Sequence, residues 1–185
     1  MSNSYAQPIL RTADLAEALR TVARLLEVAH RGGLEVDFDA LVLSEHALEP
    51  LIALLPDAEW WSTGSGKGSS DRGDSPSDHI PLRLQRWCMP PDSVEPVLAA
   101  AGDSPATVRW DFDGWPAAPD IGLDEGGSRG AYVTLCSNTR DLDLTDLASG
   151  YTVFVHVKQI EAERAPWLAA QVGLRVIGEL VMAPY

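Results

Sequence analysis

The sequence predicts a single α+β domain spanning residues 1–185, built on a mixed, mostly antiparallel sheet of about six strands with helices packed mainly on one face. Three observations predict it. Helical and strand-like stretches are interspersed without the regular strand–helix alternation that a doubly wound parallel sheet requires. The stretch TVRWDFDGW sets Val108, Trp110 and Phe112 against Arg109, Asp111 and Asp113, the period-2 pattern of a strand with one core face. The chain has 185 residues, 45% of them apolar, which is the length of one domain and enough apolar material for a proper core.

Each element follows from local pattern. TADLAEALRTVARLLEVAHRGG is an amphipathic helix, with Thr12 as its cap, Leu15, Leu19, Val22, Leu26 and Ala29 on one stripe, and Gly32-Gly33 as its stop. LEVDFDAL alternates Val36, Phe38 and Ala40 with Glu35, Asp37 and Asp39, predicting a strand with one acidic, exposed face. SEHALEPLIALLP starts a short helix after Ser44, and Pro50 fits only in a first turn or at a kink. IPLRLQRWCM is a strand with Leu82 and Leu84 inward. PDSVEPVLAAAG is a short helix with Asp92 and Glu95 at capping-box spacing, closed by Gly102.

After TVRWDFDGW, the Gly/Pro-rich loop 114–130 leads into the strand AYVTLCSN. The acidic RDLDLTDLASG precedes YTVFVHVKQ, a β-branched strand that sets Thr152, Phe154, His156 and Lys158 outward. APWLAAQVG is a short helix with Pro166 in its first turn. LRVIGELVM, apolar on both faces, reads as a closing central strand. The predicted order is αβαβαβββαβ, and no repeat of 20–50 residues is present.

The polar loop 62–78, STGSGKGSSDRGDSPSD, has the residue types of a phosphate-binding loop without its pattern. Lys67 is followed by Gly68, where magnesium binding needs Ser or Thr, and Trp61 occupies the position of the first Gly. Pro76 and the polar run before it exclude the helix that should follow. The expectation is a flexible, solvated connection that binds no nucleotide.

Charge is the strongest global signal. The formal net charge is −13, with 27 acids against 14 bases. Residues 1–61 carry ten acids and four bases, and residues 103–150 carry nine and three. Such a field repels nucleic acid and anionic membrane and speeds encounter with a basic protein. No apolar run reaches the roughly 18 residues of a membrane span. The opening MSNSYAQPILRTADL lacks a basic n-region and an apolar h-region, so the expected location is cytoplasmic. Cys88 and Cys136 lie in apolar segments and read as small buried hydrophobes.

No constellation specifies catalysis or a cofactor. Asp111 and Asp113 lie two apart on a strand and face the same way, but neither a third oxygen ligand nor a distant bidentate acid has calcium-loop spacing. Asp141 and Asp143 repeat this spacing in a turn, with Asp146 three residues further on. His30, His46, His79 and His156 show no metal spacing, and a Cys136–His156 nucleophile–base pair would need a register the sequence does not supply. Trp60 and Trp61 are adjacent on an extended segment, so one sheet face cannot bury both.

Two functions from different classes follow. The first is a small acidic binding protein without catalytic residues, metal or cofactor, which antagonises a basic protein partner such as a toxin or nuclease. Size, acidity and α+β class give it the general profile of bacterial immunity proteins, with no motif behind the analogy. Glu35, Asp37, Asp39, Asp111, Asp113, Asp141 and Asp143 would steer that partner, and Trp61 or Trp115 would anchor it. The alternative is an enzyme or small-ligand domain with a carboxylate-lined pocket near Asp111 and Asp113. The shape of the surface discriminates between them.

Overall fold

A computed structural model describes residues 4–63 and 75–183. The chain runs β1 (Ser4–Thr12), α1 (Leu15–Val28), β2 (Glu35–Val42), α2 (Glu45–Leu54), β3 (Glu59–Ser62), β4 (Leu82–Arg86), α3 (Val94–Ala101), β5 (Ala106–Asp111), β6 (Tyr132–Thr139), β7 (Leu147–Lys158), α4 (Arg164–Gln171) and β8 (Val181–Met182). The α+β class is as the sequence predicts. The strands form one eight-stranded sheet in the order β3-β4-β2-β5-β6-β7-β1-β8, and every described pair is antiparallel. Residues 64–74, which carry most of the predicted polar loop, lie outside the described residues.

The helices share one face. Val22 and Leu25 of α1, Leu48 and Leu51 of α2, Val97 and Leu98 of α3, and Leu168 and Ala169 of α4 join a single core cluster. In that cluster they meet Val36, Phe38, Leu84, Val108, Trp110, Leu135 and Val155 from the strands. Trp110 is 5% exposed and Phe112 3%, so the alternation of TVRWDFDGW names the core face correctly. Helix α1 is the cover for β1, β6 and β7, and α4 packs on β7.

Several local expectations change. The sequence pattern does not show strand β1, because Pro8 interrupts it. Proline is tolerated where the ladder is already broken, and the register shifts between Pro8 and Leu10. LRVIGELVM is not a central strand, since only Val181–Met182 pairs, at the edge beside Tyr5 and Ala6. Asp14, not Thr12, caps α1 through the Ala16 N–H, while the Thr12 hydroxyl accepts from the Asp14 N–H and donates to Glu17. Arg31 closes that helix by donating to the Leu26 carbonyl. Ser44 caps α2, which continues through Pro50. At α3 the capping box does not form, and a short 3₁₀ turn, Pro91–Ser93, leads in instead.

The loop 114–130 is tightly held. Trp115 is 1% exposed, and its indole N–H is shared between the Gly130 and His156 carbonyls. Arg164, equally buried, donates to the Pro116 and Asp124 carbonyls and to Glu161. Gly114 leaves no room for a side chain, because a Cβ there would fall 1.9 Å from the Gly126 carbonyl oxygen. Trp115 is therefore a structural post and is unavailable as a partner anchor.

Candidate functional site

The face of the sheet turned away from the helices carries the alternate residues of the same strands. Register places Asp37 opposite Arg109 and Asp39 opposite Thr107 across β2 and β5, and Asp39 opposite Gln85 across β2 and β4. This brings the predicted acidic face of β2 between two basic neighbours. Asp37 is 7% exposed and Asp39 is half-buried, contrary to the exposed face the alternation suggests. The flanking strands supply side chains long enough to cover them.

The arginines are spoken for. Arg83 grips Asp39 in a fork, Nε to Oδ1 at 2.8 Å and Nη2 to Oδ2 at 2.7 Å, the charge-assisted geometry that fixes both planes. Arg109 Nη2 donates to Asp37 Oδ2 at 2.8 Å and to Asp111 Oδ2 at 3.0 Å. Its guanidinium lies 5.9 Å from the Trp87 ring centroid and 5.3 Å from that of Tyr132, within cation–π range of both. The other oxygen of Asp37 accepts from the Cys88 N–H at 2.9 Å. Cys88 holds that N–H in place at φ 51°, a region that residues with a Cβ seldom occupy. Its thiol is exposed, not buried as its apolar neighbourhood suggests, because the chain turns there.

Burial pushes the Asp111 carboxyl up. Arg109 pulls it back and Asp37 pushes it further, leaving it at about 6. His156 is completely buried, although its alternation pointed to the surface. Burial first, and then the charge of Arg109, lower its pKa to about 3, so it is neutral. His156 Nε2 and the Thr134 hydroxyl share a hydrogen bond of 2.8 Å, and the Tyr132 and His156 rings meet in a T-shaped contact. The Cys136 thiol approaches the Asp141 carbonyl instead, and burial pushes its pKa far up. Cys136 and His156 therefore form no nucleophile–base pair.

The turn after β6 rises over this face as a ridge. Burial works against the charge on Asp141, but it accepts from the Thr145 hydroxyl and N–H, the Thr139 hydroxyl and the Asp146 N–H, and these bonds hold its carboxyl below the ordinary value. Asp141 is thus committed to holding the turn. Leu142 packs against Ala6, Cys136, Phe154 and Ala183 in a small second core. Asp143 projects into solvent from the ridge.

Between this ridge and strand β3 lies a concavity of about 340 Å³. Its floor and walls come from Asp37, Asp39, Gln85 and Thr107, from the two arginines, from Leu142 and Asp143, and from Trp61 and Trp87. Trp60 turns into the core at 8% exposed and Trp61 lies half-buried on the open face, as their adjacency requires. Trp87 is 44% exposed. On the far side of the ridge a second concavity of about 290 Å³ is bordered by Pro8, Phe154, Val181 and Met182, with Arg11 and Arg140 at its rim.

The structure thus gathers Asp37, Asp39, Trp61 and Asp143 around one hollow, with Asp111 behind Arg109. Glu35 is exposed at the end of β2, opposite Asp111. Asp113 is exposed beyond β5, its N–H donating to Gly32 and its carboxylate lying over that glycine. Asp111 and Asp113 do not converge. The sequence pattern marks Arg109 only as an outward residue and assigns Arg83, Gln85, Trp87 and Tyr132 to no site. The available signal was that arginines alternate with core residues on the strands that flank β2.

Among the described residues no group of three His, Cys, Asp or Glu side chains is arranged to hold a metal ion, and no helix is long and apolar enough to cross a membrane. No protein-family model matches the sequence, and no curated protein or solved structure matches it.

Proposed function

We propose that this chain is a binding protein that uses the open face of its sheet to dock and antagonise a basic protein partner. The observation that carries the reading is the asymmetry of the sheet: all four helices cover one face, and the other presents a concavity edged by Trp61, Trp87 and Asp143. A partly exposed tryptophan is a frequent anchor at interfaces. The net charge of −13 supplies long-range steering toward a basic surface. The buried titratable groups of the open face, His156 neutral and Cys136 raised, are suited to structure more than to proton transfer.

A ligand pocket is the second reading, favoured by a volume at the lower end of the small-molecule range. Its centre is the Asp37–Asp39 side of the face. Asp111 and Asp113, which reach different neighbours, leave an enzyme built on that pair without a shared site.

The test is association kinetics. A partner is captured from the native cell at low salt, purified, and measured by surface plasmon resonance at two ionic strengths. The expected result is an association rate that falls steeply with salt while dissociation changes little, because steering is screened beyond roughly 8 Å at physiological salt. Trp61→Ala should instead accelerate dissociation. Association indifferent to salt, or a partner that is itself acidic, overturns the reading.

A further inference from the structure

We infer that the concavity between the ridge and β3 is a receptor for a single arginine side chain. This rests on the proposed docking of a basic protein and names the group that this face selects.

The charge of the lining decides the sign of the ligand. Five ionic side chains border the hollow: Asp37, Asp39 and Asp143 against Arg83 and Arg109. Both arginines are already engaged by carboxylates, Arg83 by Asp39 and Arg109 by Asp37 and Asp111. The positive charges are therefore paired within the wall, and the lining holds one carboxylate more than it holds guanidinium groups. Asp143 is the exception. It is exposed at the rim and enters no ion pair with another described residue. A cation entering the hollow meets that carboxylate without displacing anything.

The shape decides which cation. Arg83 and Gln85 at alternate positions of β4, and Trp87 just beyond its end, all line the hollow. Trp61 lies opposite Arg83 across β3 and β4, and the two indoles bound the hollow at opposite ends with Gln85 between them. The same face already packs one guanidinium against aromatic rings, since Arg109 sits between Trp87 and Tyr132. A planar, weakly hydrated guanidinium stacks on an indole and forks onto a carboxylate at once, whereas an ammonium is a compact, strongly hydrated charge. The Gln85 amide and the Thr107 hydroxyl on the floor supply further polar contacts.

The probe is a capped tripeptide, acetyl-Gly-Arg-Gly-amide, titrated into the whole protein and followed by proton–nitrogen correlation spectra. The controls are the same peptide with citrulline, which keeps the shape and removes the charge, and with lysine. Saturable shifts of the Trp61 and Trp87 indole N–H signals are expected with arginine. Citrulline should give none, and lysine should bind several-fold more weakly. Asp143→Asn removes a rim charge and should weaken the arginine peptide about three- to fivefold, with an otherwise unchanged spectrum showing that the fold is intact. Equal binding of citrulline, equal binding of lysine, absence of shifts at both indoles, or indifference to Asp143→Asn overturns the inference. Failure here is distinct from failure of the docking proposal: a basic partner whose association stays salt-dependent while the tripeptide does not bind leaves docking standing and removes the receptor. The converse result keeps the receptor and removes the antagonist.

Discussion

The two faces of the sheet are built from alternate residues of the same strands, yet they solve different problems. On the covered face Val36, Phe38, Val108, Trp110, Leu135 and Val155 meet four helices, and the interaction is non-directional burial. On the open face Arg83 holds Asp39, Arg109 holds Asp37 and Asp111, and Thr134 shares a bond with His156, all through hydrogen bonds of fixed geometry. The comparison teaches that an uncovered face need not be a solvated one. Long arginine side chains and aromatic rings lie across the sheet and shield Asp37 and Asp39 of β2 from water, which a layer of helices would otherwise have done.

The largest expected effect breaks the covered face. Trp110→Ala removes a buried ring of the main core cluster and should cost about 3–5 kcal/mol through lost burial and the cavity left behind. The midpoint of urea denaturation measures it, and an unchanged midpoint would mean that β5 is in the wrong register. On the open face, Asp37→Ala strips Arg109 of one of its two carboxylates and the Cys88 N–H of its acceptor. A loss of about 2–3 kcal/mol is expected, below the full cost of orphaning a buried charge because Asp111 remains. If this variant matches wild type, the face is a solvated one after all.

The finest contrast is in pH. His156 has its pKa lowered from 6.5 to about 3 in the fold. Only the unfolded chain takes up that proton, so the stability it contributes is present above pH 6.5 and is lost as pH falls from there. Asp111 is raised from 3.8 to about 6. The folded chain takes up that proton first, so its contribution is present below pH 3.8 and is lost as pH rises through 6. Between pH 6 and 4 the two oppose each other. Asp111→Asn should therefore steepen the loss of stability on acidification in this window, and His156→Gln should flatten or reverse it. Each change is bounded by about 1.4 kcal/mol per pH unit. Denaturation midpoints at pH 4, 5, 6 and 7 read both, and parallel curves for the three proteins would refute the buried environment assigned to these groups.

Much of the covered face was legible because burial is written in periodicity. The stripe of α1, the alternation around Trp110 and the opposite orientation of Trp60 and Trp61 each follow from a single segment's geometry. The candidate site was legible only in part. Asp37, Asp39, Trp61 and Asp143 can be picked out as acids or an aromatic on an outward face, but nothing local says that Arg83 and Arg109 will lie beside them. Those contacts join residues 44 and 72 positions apart. His156 was misplaced for a related reason: alternation says that it leaves the helix-covered face, and Thr134, Tyr132 and the loop around Trp115 decide that the other side is closed there too.

The sequence by itself determined the α+β class, the four helices, the core side of β2, β4, β5 and β7 and the acidity of the whole chain, because each depends on composition or on spacing within one element. Tertiary structure alone decided the strand order, the edge position of the C-terminal segment, the pairing of arginines with the acids of β2 and the conversion of Trp115 from surface candidate to buried post. These depend on which distant segments become neighbours. Strand pairing is selected by the packing of the whole sheet beneath its helices, so an acid's partner, and hence whether its charge is free to meet another molecule, is fixed only when the sheet is assembled.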